Sequence, residues 1–373
     1  MSEESESLEK RQGDARLFGW LHPSVIAPAG LAAAAGFAQF AATASLADVA
    51  AGFGLAERSD RPARPGLNDT TLGLGLSVIR LGSLAAMPLA AMADRVGRRR
   101  IVATCATVGL ALTAAAALSP GFWWFVAVLA LARPLLSATN AVAIVVGAEV
   151  TTIRERAKAV SVIGATYAVG AGIPVLLRAA ARDGLGFRGI FALAAVPLAL
   201  APIAIRHLKE PDRYQKLERA SRKGGAINRG RIPPELRSRL LVLAVLTAAA
   251  GFVTGPANTF VFYFAERIRG LSPSTMAIAV VAAGPIGLVG LIAGRWTADN
   301  FGRRLSAGAS LAAVAGAAIF TYNVAGVGVA VGYLLAIFSA SVYTPASGAI
   351  SAELFPTSCR SAAAGWVTAA GVL

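Results

Sequence analysis

Apolar residues run along this chain in long unbroken stretches, separated by short polar loops. A helix crosses a bilayer with about 20 consecutive apolar residues, and these runs reach or exceed that length. They predict helices at about 24–54, 70–92, 101–118, 122–148, 157–180 and 186–206. A polar stretch at about 207–238 follows, then helices at about 239–266, 274–297, 305–322 and 327–351. A last helix begins near residue 361 and reaches Leu373 at half length. The runs are continuously apolar rather than alternating, which argues against a β-barrel.

Composition strengthens the membrane reading. Hydrophobic residues make up 56% of the 373 positions and charged residues 15%, against about 25% charged in soluble domains. Mean hydropathy is +0.63. The net charge of +15 raises nucleic acid as a partner, but no basic soluble domain carries it. Basic residues instead fill short loops after every second run and the central linker, which is the positive-inside pattern. Asp94 to Arg100, Arg154 to Lys158, the linker, Arg303-Arg304 and Arg360 therefore mark the cytoplasmic face. The acidic start, Met1-Ser2-Glu3-Glu4-Ser5-Glu6, and a first run too long for an h-region argue against a cleavable signal peptide. The N-terminus is expected in the cytoplasm, with Leu17, Phe18, Trp20 and Leu21 as a short interfacial helix. The linker, including Arg219 to Gly225 and Arg231 to Pro234, reads as a solvated tether or a lipid-headgroup contact. Asn68-Asp69-Thr70 forms a glycosylation sequon against the start of a span.

Two cysteines, Cys105 and Cys359, fall at different depths, and two histidines, His22 and His207, flank spans. That set offers no disulfide, metal site or cofactor. No Gly-x-x-x-x-Gly-Lys-Ser/Thr loop occurs, so ATP is not the energy source. No clustered nucleophile constellation points to an enzyme.

A motif occurs twice. Asp94-Arg95-Val96-Gly97-Arg98-Arg99-Arg100 follows one apolar run, and Asp299-Asn300-Phe301-Gly302-Arg303-Arg304 follows another. Glu149 and Arg156 keep the same spacing and offset as Glu353 and Arg360. Two signatures on one register imply an internally duplicated chain, as in many secondary transporters. The repeat maps the fifth helix onto the half-length eleventh, so a twelfth is expected to end near residue ~410.

These residues carry a family resemblance. Asp94 to Arg99 resembles the loop signature between helices two and three of the major facilitator superfamily, and Asp299 to Arg304 its counterpart between helices eight and nine. Ala352-Glu353-Leu354-Phe355-Pro356-Thr357-Ser358-Cys359-Arg360 is similar to the loop between helices ten and eleven of sugar porters and metabolite–proton symporters. Glu149 to Arg156 resembles its partner between helices four and five. Departures include Ala90 where the family has glycine, Gly294 displaced by one, Asn300 for a basic residue, and Thr152 and Ile153 where proline is common. The resemblance implies an all-α membrane protein with two six-helix bundles related by pseudo-two-fold symmetry, the second truncated within helix eleven. The division expected is a 1–23 cytoplasmic segment, a 24–206 bundle, a 207–238 basic cytoplasmic linker and a 239–373 bundle.

The resemblance also implies roles. Asp94, Arg95, Gly97, Arg98, Arg99, Glu149 and Arg156 would form one cytoplasmic gate cluster. Asp299, Gly302, Arg303, Arg304, Glu353 and Arg360 would form a second. An acid at a helix end needs a partner, and Arg98 or Arg99 is expected to reach Glu149. The competing view is that these charges only anchor topology. Helices one, four, seven and ten would line the cavity, with Gln39, Arg133, Asn140, Asn258 and Tyr343 as substrate contacts. Inside the spans lie Asp48, Arg80 and Arg133, each costing about 2.5–3.5 kcal/mol at mid-bilayer. Asp48 is expected to neutralise Arg80 or Arg133, either as a proton-coupling site or as a static pair. An unneutralised Arg133 would favour an anionic substrate such as a carboxylate. Gly164, Gly170, Gly172 and Pro174 are similar to the antiporter motif of drug exporters but lack its Gly-Pro step, which occurs instead at Gly284-Pro285. They read as packing glycines.

The expected function is secondary active transport at the cell membrane by a monomer, with proton-coupled symport of a small polar metabolite, an organic anion or sugar. Proton-driven efflux of drugs or amphiphiles is the alternative. A non-transporting sensor would need an output domain that the linker is too short to hold.

Overall fold

The computed structural model describes residues 23–53, 67–151, 156–181, 185–208, 210, 234–354, 366, 370 and 371. Among these, ten helices are long and apolar enough to cross a membrane. In chain order, spans one to five are Pro23–Ala44, Asp69–Ala93, Arg98–Leu118, Phe122–Gly147 and Ala159–Ala180. Spans six to ten are Gly186–His207, Pro234–Ile268, Pro273–Asn300, Arg303–Asn323 and Gly328–Ala346. Every described run matches an apolar stretch of the sequence. The expected interfacial helix at 17–21, the linker from 211 to 233 and the eleventh helix lie outside the described residues, apart from single positions.

Local chemistry sets the helix ends. Asn68 caps span two, its side-chain oxygen accepting from the Thr70 N–H at 3.1 Å, so the sequon asparagine already serves the backbone. Ser272 caps span eight, with Pro273 in the first turn. Spans three and nine begin after Gly97 and Gly302, whose φ values of 111° and 86° an L side chain adopts only under strain. Span one breaks at Ser45 and resumes as Leu46–Phe53. Span seven ends in a π-helical turn, Phe264–Ile268, a widening often found where a helix aims a functional side chain.

The chain divides into two compact units. The first comprises Met1–Ala41, Ala85–Ile173 and Arg188–Ala226; the second comprises Ala42–Leu84, Pro174–Phe187 and Ile227–Leu373. The first unit's core packs Leu31, Val102, Leu110, Leu136 and Val146 among many alanines. The second packs Val261, Phe262, Phe264, Met276 and Val329. Large apolar side chains such as Phe252, Ile278 and Ile292 are exposed at 78%, 71% and 71%. Such outward apolar surface suits lipid contact and would be a liability in water. The molecule is a multi-pass membrane protein.

Candidate transport site and charged clusters

The first unit holds the first loop cluster. Arg98 Nη1 donates to Glu149 Oε2, joining the start of span three to the end of span four as the resemblance implied. A third residue completes it. Glu210, just past span six, accepts from the Arg98 N–H at 2.7 Å and the Arg99 N–H at 3.0 Å. A carboxylate on free amides at a helix N-terminus is favoured by hydrogen bonding and by the helix dipole. Gly97 permits the approach, because a Cβ there would lie 3.2 Å from Glu210 Oε2. Sequence reasoning placed Glu210 in a solvated tether; no spacing rule singles it out. The side chains of Asp94, Arg95 and Arg156 lie outside the described part of the structure.

The second loop repeats the turn, and among its described residues one ion pair is seen. Asp299 pairs at 3.8 Å with Arg295, one turn back on its own helix, and both side chains are exposed. Arg303 and Arg304 are exposed at the start of span nine. The Glu353 side chain and Arg360 lie outside the described residues.

Arg133 sits in span four beside span one. Its Nη1 donates to the Gln39 carbonyl at 3.1 Å, and Ser137 Oγ lies 3.3 Å from Gln39 Oε1. Arg133, Ser137 and Asn140 follow at i, i+4 and i+7, so they share one helix face. The Arg133 Nε and the Asn140 Oδ1 are both buried without a hydrogen-bond partner. Among the described residues no carboxylate pairs with Arg133. Gln39, Arg133 and Asn140 thus come together in the first unit. Asn258 and Tyr343 belong to the second unit. Asn258 lines a cavity of about 20 Å³ with Thr254, Tyr322 and Tyr333, room for about one water. Tyr343 is half-buried in span ten.

The expected pairing of Asp48 is corrected. Asp48 binds neither Arg80 nor Arg133. Arg178, in the last turn of span five, donates to Asp48 through Nε at 2.5 Å and Nη2 at 2.7 Å. The same guanidinium donates through Nη1 to Glu266 in the π turn of span seven. Arg80 instead donates to the Gly255 carbonyl at 2.7 Å and Thr259 Oγ1 at 2.5 Å. The physical reason is position: Arg178 and Glu266 end their spans, where a charge reads as a hydrated flank, so neither entered the count of intramembrane charges. Another overlooked residue is Arg188, which donates at 2.9 Å to both the Ala117 and Ser119 carbonyls. It satisfies carbonyls left free at the end of span three.

Comparison with known proteins now decides the family. A family model described as Major Facilitator Superfamily matches residues 26–373. The chain belongs to that superfamily. Its fold resembles a D-xylose–proton symporter, with TM-score 0.69, 16% identity, and 93% of this chain and 87% of that chain covered. It also resembles the inward open xylose transporter XylE from E. coli, with TM-score 0.68, 17% identity, and coverage of 93% and 86%. A bacterial homolog of the human lysosomal transporter Spinster, inward-facing and unoccupied, gives TM-score 0.67, 17% identity, and coverage of 94% and 79%. No curated protein matches the sequence. Identities this low speak to fold alone. Members of the superfamily are transporters rather than enzymes, and this chain is a transporter of that fold.

Proposed function

We propose that this chain works by alternating access as a proton-coupled symporter of a small organic anion. In this reading a six-helix bundle, 24–206, and a second bundle of which 239–373 supplies helices seven to eleven rock about a midplane site. The 207–238 linker and the N-terminus lie in the cytoplasm, and Arg98, Glu149 and Glu210 brace the first bundle's side of the cytoplasmic gate.

One observation carries the substrate class. Arg133 bears a full charge within a membrane span, yet its bonded partner is a neutral carbonyl. An uncompensated intramembrane charge is costly, and Asp48, the acid that would offset it, is held by Arg178. A carboxylate substrate supplies the missing charge and matches the guanidinium fork. Gln39, Ser137 and Asn140 add polar groups on the same seam. A neutral sugar would leave the charge unmet, so the anion is preferred.

A thermal-shift screen of the purified protein tests this. Small carboxylates, sugars, amino acids and amphiphilic drugs are compared at two pH values, because a ligand of the folded state raises the melting temperature. Stabilisation by a carboxylate, lost in Arg133→Ala and kept in Ser45→Ala, is the expected result. Stabilisation by sugars or amphiphiles alone would overturn the anion reading, and the amphiphile result would favour efflux.

A further inference from the structure

Polar bonds link span seven to first-half helices along its length from Gly255 to Arg267, all within the second unit. Glu266 meets Arg178 of span five. Arg267 Nη2 donates to the Ala47 carbonyl at 3.3 Å. The Tyr263 hydroxyl donates to Asp69 Oδ1 at 2.7 Å. Arg80 of span two reaches the Gly255 carbonyl, which it can do because Gly255 has no side chain: a Cβ there would lie 2.1 Å from Arg80 Nη1.

The ionic bonds in this set are unequal. Asp48 and Arg178 both come from the first half of the repeat, and Glu266 comes from the second. If the halves part here, the line of separation runs between Arg178 and Glu266. Arg178 then keeps its two bonds to Asp48. Glu266 departs beside Arg267, its neighbour in the chain, and gains water. Burial follows the same order: the side chains of Glu266, Arg178 and Asp48 are 9%, 12% and 29% exposed. Without Asp48, opening would strand a guanidinium, and unpaired charge in a span is costly. A single acid would suffice for a permanent pair; two acids on one arginine suit a bond that must break and re-form.

We propose that Asp48, Arg178 and Glu266 form a closure latch in which Glu266 is the partner that leaves and Asp48 the partner that stays and makes release reversible. This rests on the alternating-access reading above. The latch is closed in this structure. It lies within the second unit, separate from the Arg98–Glu149–Glu210 cluster of the first.

The latch predicts opposite signs for two similar substitutions. Ala44 lies one turn before Asp48 in the apolar core of the second unit, at 2% exposure. In the full chain carrying Cys105→Ala, Cys359→Ser and Ala44→Cys, the rate of modification by a charged maleimide in detergent reports opening. Glu266→Gln removes the partner that leaves and should raise the rate about tenfold, the factor for one charge-assisted bond. Asp48→Asn makes opening strand Arg178 and should lower the rate by about threefold or more. Should Glu266→Gln fail to fold, Glu266→Asp, which shortens the reach by one methylene, should give a smaller rise. A purely structural triad would loosen in both variants, so a rise in both, or no change in either, overturns the latch. Failure of every compound to stabilise the parent protein would count against the transport reading while leaving these labelling signs readable.

Discussion

Spans one and five cross with their backbones nearly touching, and that contact gives a sharp prediction. A Cβ on Gly170 would sit 2.0 Å from the Ala33 carbonyl oxygen, and one on Gly36 would sit 2.2 Å from the Tyr167 carbonyl oxygen. Both obstacles are backbone, so neither can swing aside. Ordinary contact starts near 3.4 Å, which means Gly170→Ala must push the helices apart by more than an ångström. The move would also stretch the Thr166 hydroxyl bond to the Ala29 carbonyl, now 3.0 Å. Forced overpacking costs about 1–3 kcal/mol, opposed by about 1 kcal/mol of better helix propensity. Gly164 lies two turns earlier in the same span with nothing within 4 Å of its Cβ position, so Gly164→Ala collects the propensity gain alone. The two variants should differ by about 2 kcal/mol, or roughly 5 °C in melting temperature, using a few degrees per kcal/mol for a chain of this size. Thermal melts of the purified variants provide the assay. If Gly170→Ala melts at or above Gly164→Ala, the close crossing is not what these glycines serve.

Two further outcomes follow from glycine geometry. Gly97→Ala and Gly302→Ala should each cost about 1–3 kcal/mol from backbone strain, with the larger loss of melting temperature at Gly97, where the added carbon also crowds the Glu210 carboxylate; equal losses would mean the carboxylate cap adds nothing. Gly255→Ala should destabilise by displacing Arg80, and the penalty should shrink by about 1 kcal/mol or more in the Arg80→Ala background, because contacting residues couple; strict additivity in that double-mutant cycle would count against the contact.

The fold and the placement of the described spans were legible because the bilayer imposes a simple rule on sequence. Backbone groups in lipid must bond internally, so each span appears as one apolar run, and all ten described spans lie where the runs predict. The turn glycines were equally visible, since Gly97 and Gly302 occupy backbone that few other residues tolerate. Pairings were less visible. Arg98 with Glu149 could be anticipated from the resemblance of the two loops to the family's signatures. Glu210, Arg178 and Glu266 could not, because a charge at the end of a span reads the same whether it is hydrated or clamped between helices. Asp48 was rightly singled out as anomalous, but its partner was sought at similar depth in spans two and four and not at the end of span five.

The duplication itself needs the same distinction between backbone and charge. Both loop copies keep a positive-φ glycine opening the next span, so the repeat preserved a turn. The charges described in the two copies sit in different surroundings. In the first copy Arg98 is 10% and Glu149 18% exposed, and Glu210 adds two backbone bonds, making a cluster shielded enough for its bonds to matter. In the second, Asp299 meets Arg295 at 3.8 Å with side chains 65% and 84% exposed, and exposed pairs at i, i+4 contribute only about 0.3–0.5 kcal/mol. A turn is a local steric demand that each copy must meet alone. A charge cluster depends on which helices come near, and span six brings Glu210 to the first copy. The gate role proposed for the first copy therefore rests on the bonds of Arg98, Glu149 and Glu210 themselves.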